Sequence, residues 1–117
     1  MDFTSLFKAP ETEGKEKHVP MIKRGSGHGG THENVVIVAV GEETAHPNTT
    51  EHHISRIELY GVKKENDQVV FIGQADFAPG IAEPVATFKT VDLNQFKMLG
   101  ALSYCNLHGV WKNTLKL

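Results

Sequence analysis

Residues 68–77 read QVVFIGQADF and carry a clear signal of secondary structure. Every odd-numbered position from 69 to 77 holds an apolar or small residue, and polar residues stand between them at positions 74 and 76. This two-residue period is typical of a β-strand, because successive side chains point to opposite faces of a sheet. The stretch therefore predicts a strand, and similar signals lie on both sides of it.

On the N-terminal side of this stretch, residues 57–61 alternate in the same way, and the β-branched run Val35–Val40 has apolar residues of both parities, which predicts a strand covered on both faces. Helix signals are weak, and the best candidate is the short interval Asn94–Leu99. Three further strands are predicted at Val85–Val91, Leu99–Tyr104 and Val110–Leu115. Short strands separated by Gly, Pro and Asn favour an all-β fold, an Ig-like antiparallel β-sandwich of about seven strands.

The chain has the size of one domain. Its 117 residues and 12.9 kDa are enough for a single hydrophobic core. Residues 1–33 are polar, are interrupted by Pro10, Gly14 and Pro20, and end in the run GSGHGGTH at 25–32. We therefore predict one domain over 1–117, with 1–33 largely loop.

Charge and hydropathy argue against two classes of partner. Twelve Lys and Arg against 14 Asp and Glu give a net charge of −2, which disfavours binding to nucleic acid or to an anionic membrane. The longest apolar run, Val35–Val40, is far shorter than the ~20 residues of a membrane span. Residues 1–8 lack the pattern of an export signal, so we predict a cytoplasmic protein.

The chain contains seven His and one Cys, and this imbalance raises the question of a metal site. Cys105 cannot form an internal disulfide, so it is a buried thiol, a nucleophile or a metal ligand. It begins a Cys-x-x-His turn that ends at His108, a spacing at which both side chains can reach one ion. His52 and His53 point in different directions, so only one of them should bind that ion, and the spacing leaves open which.

The candidate ligands restrict the metal. One soft thiolate and up to four imidazoles suit iron, copper or zinc rather than magnesium or calcium. A blue-copper site usually takes an axial Met soon after its last His, whereas the Met residues here are at positions 1, 21 and 98. A structural zinc site closes with four ligands, which would leave candidates in surplus.

Three ordered motifs resemble the superoxide reductase family in its one-iron, neelaredoxin form. They are EKHVP at 16–20, HPNTTEHHI at 46–54 and YCNLHGVW at 104–111. The resemblance covers about 14–111, and the four-cysteine iron module of some members has no counterpart in a chain with one Cys. Residues 78–84 form a shorter loop than better-known members tend to carry.

This resemblance implies one non-haem iron per chain, bound by four His and one Cys. His52 rather than His53 is a ligand on this basis, while His28, His32 and His53 keep ordinary roles. Glu16 would bind the vacant axial position in the ferric resting state, and Lys17 would guide superoxide to the site. Carried over by motif position, the equatorial ligands would be His18, His46, His52 and His108, and the axial ligand Cys105.

The activity implied is one-electron reduction of superoxide to hydrogen peroxide, without production of dioxygen. The partners implied are superoxide, a rubredoxin-like electron donor and further copies of the chain, since this form of the family is often a homotetramer. The alternative is a non-catalytic β-sandwich that binds a transition metal or docks another protein.

Overall fold

The computed structural model describes residues 1–12, 17–25, 34–42 and 44–117. Short 3-10 helices lie at Phe3–Leu6, Pro10–Thr12 and Leu93–Gln95. The strands of the described residues are β1 (Met21–Arg24), β2 (Val35–Ala39), β3 (Ile54–Lys63), β4 (Val69–Asp76), β5 (Val85–Lys89), β6 (Phe96–Cys105) and β7 (Gly109–Lys116).

The strands form two antiparallel sheets. The smaller sheet has the order β1-β2-β5 and the larger has the order β4-β3-β6-β7. The chain passes between the sheets after β2, β4 and β5. The prediction of an all-β sandwich of about seven strands is confirmed.

The core lies between the sheets and is built from the inward-facing residues of each. Ile57 and Leu59 of β3 and Leu99 of β6 have no exposed surface, and Val36 and Val38 of β2 face them from the other sheet. Strand β2 is buried on both faces, as its apolar residues of both parities predicted. The two-residue period that predicted the strands is thus the period of core burial.

Two local features differ from the sequence expectations. Strand β1 lies within the segment expected to be largely loop, and it pairs with β2 from Met21 opposite Ala39 to Arg24 opposite Val36. The interval 94–99 contains only the end of a 3-10 helix, and β6 begins at Phe96. Pairing with β3 and burial of Phe96 and Leu99 in the core explain why a strand forms there.

One end of the sandwich brings distant parts of the chain together. Ile54, at the start of β3, pairs with Cys105 at the end of β6, so the segments before β3 and after β6 meet there. The start of β1 lies at the same end of its sheet as the end of β2. All three histidine-bearing segments predicted from the sequence therefore reach this end. Within the described ranges, no helix is long and apolar enough to cross a membrane.

Candidate metal centre

Five side chains from the three motifs meet at this end of the sandwich. Each offers one donor atom, and these atoms all lie within 4.8 Å of one another. His18 precedes β1, His46 and His52 lie between β2 and β3, Cys105 ends β6, and His108 lies in the turn before β7. The five candidate ligands predicted from the sequence therefore form one cluster, although up to 90 positions separate them along the chain.

The four imidazole rings form a closed ring of contacts. Each meets two neighbours edge to face, at interplanar angles between 69° and 81°. The ring centroids are 4.7 Å apart for His18 and His46, 4.6 Å for His46 and His52, 5.0 Å for His52 and His108, and 4.9 Å for His108 and His18. This arrangement directs four nitrogen donors towards a common centre.

Cys105 is buried and lies beside two of these imidazoles. Its Sγ lies 3.6 Å from Nε2 of His46 and 3.7 Å from Nδ1 of His108. The turn after β6 places His108 beside the thiol, and Gly109, with φ of 80°, adopts the left-handed conformation with which β7 begins. Cys105 and His108 thus contribute neighbouring donors from one tight turn.

The tautomer of His46 is fixed by the backbone. Its Nδ1 lies 2.7 Å from the carbonyl oxygen of Pro47, which can only accept, so Nδ1 carries the proton. The lone pair of Nε2 then faces the centre of the cluster, on the side of Cys105. A backbone carbonyl holding the second ring nitrogen is the usual support of a metal-binding histidine.

Gly41 lets the chain reach this position for His46. It has φ of 75°, and a Cβ placed on it would lie 2.6 Å from the backbone nitrogen of His46. Both the dihedral angle and the close approach therefore require glycine.

We expect Gly41→Ala to weaken metal binding and to lower the free energy of unfolding by about 1–3 kcal/mol, because a non-glycine residue is strained there and must displace the backbone of His46. Urea unfolding of the metal-free protein and titration with Co²⁺ measure the two effects. Gly100→Ala is the matched control, since a Cβ there has nothing within 4 Å. Unchanged Co²⁺ affinity in Gly41→Ala would show that Gly41 does not position His46.

His18 is held by contacts from the larger sheet. The hydroxyl of Ser103 on β6 donates to the carbonyl oxygen of His18 at 2.5 Å. The ring of Trp111 on β7 stacks on the imidazole with centroids 4.6 Å apart and an angle of 9° between the planes. Trp111 is itself buried, so its ring fixes the plane of the His18 imidazole from one side.

His108 is supported by the N-terminal segment, which the sequence did not indicate. The Lys8 backbone forms an isolated parallel bridge with Trp111 on β7. Lys8 Nζ donates to the carbonyl oxygen of His108 at 3.1 Å, and Trp111 Nε1 donates to the same oxygen at 3.2 Å. Lys8 and Trp111 thus both fix the backbone of the Cys105–His108 turn.

The structure places His52 and His53 differently. His52 belongs to the cluster of donors, whereas the buried His53 directs its Nδ1 to the carbonyl oxygen of Thr49 at 3.0 Å. Thr49 also accepts from the backbone N–H of His52 through its hydroxyl, at 3.0 Å. The spacing left the two histidines equivalent, and this turn separates their directions.

Charged groups flank the cluster. Lys17 is half-buried and directly precedes His18. Hydrogen bonds from its own backbone and from Thr50 lower the pKa of the exposed Glu51 carboxyl, so this group is ionised at neutral pH. Glu16, His28 and His32, for which the sequence analysis made predictions, lie outside the described residues.

The donor set fits a first-row transition ion. At a metal–nitrogen distance of about 2.1 Å, two donors at right angles are about 3.0 Å apart, and Nε2 of His18 lies 3.0 Å from Nδ1 of His108. The sulfur lies 3.6 and 3.7 Å from two nitrogens, about half an ångström beyond the roughly 3.1 Å that separates adjacent sulfur and nitrogen ligands at right angles. Four imidazoles and a thiol exceed the four ligands of structural zinc. The axial Met of a blue-copper site has no support from Met21, whose sulfur accepts a hydrogen bond from Asn113.

Comparison with known proteins agrees with this donor set. The family model described as Desulfoferrodoxin matches residues 10–114. The superoxide reductase of Pyrococcus horikoshii is 40% identical over 108 residues, covering 87% of this chain and 88% of the relative. The neelaredoxin of Megalodesulfovibrio gigas is 40% identical over 126 residues, covering 97% and 95%. The structure of a superoxide reductase (neelaredoxin) from Ignicoccus hospitalis superposes with a TM-score of 0.83 at 34% identity, covering 100% of this chain and 98% of the other.

Proposed function

The chain belongs to the desulfoferrodoxin family, and from this premise we propose that it is a superoxide reductase of the one-iron, neelaredoxin type. The reaction converts superoxide, one electron and two protons to hydrogen peroxide, and it releases no dioxygen. A ferrous ion held at this site would supply the electron. The ligands in this proposal are His18, His46, His52, Cys105 and His108.

The observation that carries the proposal is the composition of the cluster. Four nitrogen donors and one sulfur donor converge within 4.8 Å, and all five come from the three motifs that resemble those of superoxide reductases. Imidazole and thiolate donors both suit iron, so these five residues would hold that ion.

The residues of the site also explain why an anion enters it. Four neutral imidazoles and one thiolate carry one negative charge together, which leaves a divalent ion with a net charge of +1. The whole chain has a net charge of −2, so attraction of superoxide has to be local. In this proposal the Lys17 ammonium, on the residue before His18, adds to that local attraction.

We expect Lys17→Ala to lower the second-order rate constant for superoxide by about tenfold, because local steering of an anion is lost. The dependence of this rate constant on ionic strength should weaken in the same variant, since one charge no longer contributes. Both effects are measured by generating superoxide in a pulse and following its decay at several salt concentrations.

Lys64→Ala is the matched control, because it removes the same charge from an exposed residue beyond the far end of β3. Ten residues of strand place that position about 30 Å from the start of β3. A wild-type rate constant in Lys17→Ala, or an equal loss in both variants, would remove Lys17 from the proposed mechanism.

Further parts of the proposal concern partners and location. We propose a rubredoxin-like protein as electron donor and a homo-oligomer, with a tetramer as the expected form. Glu16 as the ligand of the ferric resting state stays a prediction, as does the cytoplasmic location. Size-exclusion chromatography with light scattering tests the assembly directly.

Metal exchange tests the proposed function against a role as a metal carrier. The protein loaded with Fe²⁺ should consume superoxide in the presence of a reductant, and the protein loaded with Zn²⁺ should not. Zinc keeps the donor set occupied but has no redox chemistry, so it controls for folding and binding. Equal inactivity of both forms would favour the non-catalytic binding module.

A further inference from the structure

The five candidate ligands lie on three chain segments, and two of these segments meet through hydrogen bonds as well as through strand pairing. One is the turn from Thr49 to His53, which carries His52. The other is the turn from Cys105 to His108, which carries two ligands. The contacts that fix the distance between these two turns therefore determine how the donor atoms are arranged.

Asn106, between Cys105 and His108, joins the two turns with three hydrogen bonds. Its Oδ1 accepts from the backbone N–H of His53 at 2.9 Å. Its Nδ2 donates to the carbonyl oxygen of Glu51 at 2.8 Å. Its own backbone N–H donates to the carbonyl oxygen of His53 at 3.2 Å. The side chain thus bonds to the backbone on both sides of His52.

The turn that Asn106 holds is internally connected, so the contact reaches His52. Thr49 N–H donates to the carbonyl oxygen of His52 at 2.9 Å, and the Thr49 hydroxyl accepts from the N–H of His52 at 3.0 Å. The Nδ1 of His53 donates to the carbonyl oxygen of Thr49 at 3.0 Å. A rigid turn bonded to Asn106 on both sides leaves His52 little freedom relative to Cys105.

We infer that Asn106 is a positioning residue for the metal site, whose side chain sets the spacing of His52 relative to Cys105 and His108. This inference rests on the proposed iron site, since the three residues it aligns are proposed ligands. Asn106 does not itself offer a donor to the cluster. Its effect passes through the backbone atoms of Glu51 and His53. Such supporting hydrogen bonds commonly change metal affinity by about 10- to 100-fold.

The test measures metal binding separately from catalysis. Asn106→Ala should lower the affinity for Fe²⁺, determined by competition with a chromophoric chelator, by about 10- to 100-fold. In the oxidised protein the visible thiolate-to-iron band should shift or broaden, because the geometry around Cys105 is no longer fixed. Asn106→Asp keeps the acceptor for His53 N–H but loses the donor to Glu51, so it should recover part of the affinity.

Asn34→Ala is the matched control. The Asn34 Oδ1 accepts from the backbone N–H of Leu93 at 2.9 Å, in a part of the fold away from the cluster. Its loss should lower the unfolding midpoint and leave Fe²⁺ affinity and the visible band unchanged. If Asn106→Ala lowers only the unfolding midpoint, as Asn34→Ala does, the positioning role is wrong. If the wild-type protein binds no iron, the proposed function fails instead.

Discussion

The variant Cys105→Ser, loaded with iron and oxidised, is expected to lose the visible absorption band of the wild-type protein and to lose superoxide reduction. The band arises from charge transfer between thiolate and ferric iron, and Cys105 is the one sulfur donor in the cluster of described residues. A serine hydroxyl is a poor donor at neutral pH and cannot replace that charge. We expect the rate constant for superoxide to fall by more than about 100-fold, because the loss of a residue that only supports a metal ligand already costs about 10- to 100-fold.

Cys105 is fully buried, so a control must separate loss of the ligand from burial of a hydroxyl. Ala101→Ser places a hydroxyl on the same strand and the same inward face, where Ala101 is also buried. That variant should lose stability, by about 1–3 kcal/mol for a polar group without a partner, and keep the visible band. A Cys105→Ser protein that retains the band would show that the thiolate is not a ligand.

The pair His52→Ala and His53→Ala is expected to separate metal binding from stability. His52 lies in the cluster, so its loss should lower Fe²⁺ affinity by more than about 100-fold and change the stability of the metal-free protein little. His53 lies outside the cluster and is 9% exposed. Its loss removes the hydrogen bond to Thr49 and should cost about 1–3 kcal/mol of unfolding free energy, with a smaller loss of Fe²⁺ affinity than in His52→Ala, because His53 affects the cluster only through the turn that carries His52.

Each variant is the control for the other, because the two residues are adjacent and the substitution is the same. Chelator competition gives the iron affinity, and urea unfolding of the metal-free proteins gives the stability. Iron binding that survives in His52→Ala and disappears in His53→Ala would contradict the assignment made from the structure.

Much of the fold could be predicted from the sequence because its strands carry local signals. The alternation at 68–77 and the β-branched run at 35–40 each correspond to an observed strand, β4 and β2. Strand β1 has no comparable signal, since its four residues follow Pro20 and bury only Ile22. Its conformation depends on pairing with β2, which is a long-range interaction that a local pattern cannot contain.

The candidate site divides in the same way. The motifs at 16–20, 46–54 and 104–111 contain all five clustered residues, and their resemblance to the superoxide reductase family predicted a shared ion. The contacts that support these residues could not be predicted from the sequence. Lys8 reaches His108 across 100 positions, and Asn106 reaches His53 across 53, so no spacing rule links them. They follow from how the sandwich brings its chain segments together at one end.

The most direct measurement of the central proposal is the ratio of products formed from superoxide by the iron-loaded protein supplied with a reductant. Reduction predicts one hydrogen peroxide for each superoxide consumed, with no dioxygen released. A peroxidase-coupled assay measures the peroxide, and an oxygen electrode measures dioxygen in the same reaction. One peroxide and one dioxygen for every two superoxide ions would identify dismutation and contradict the proposal.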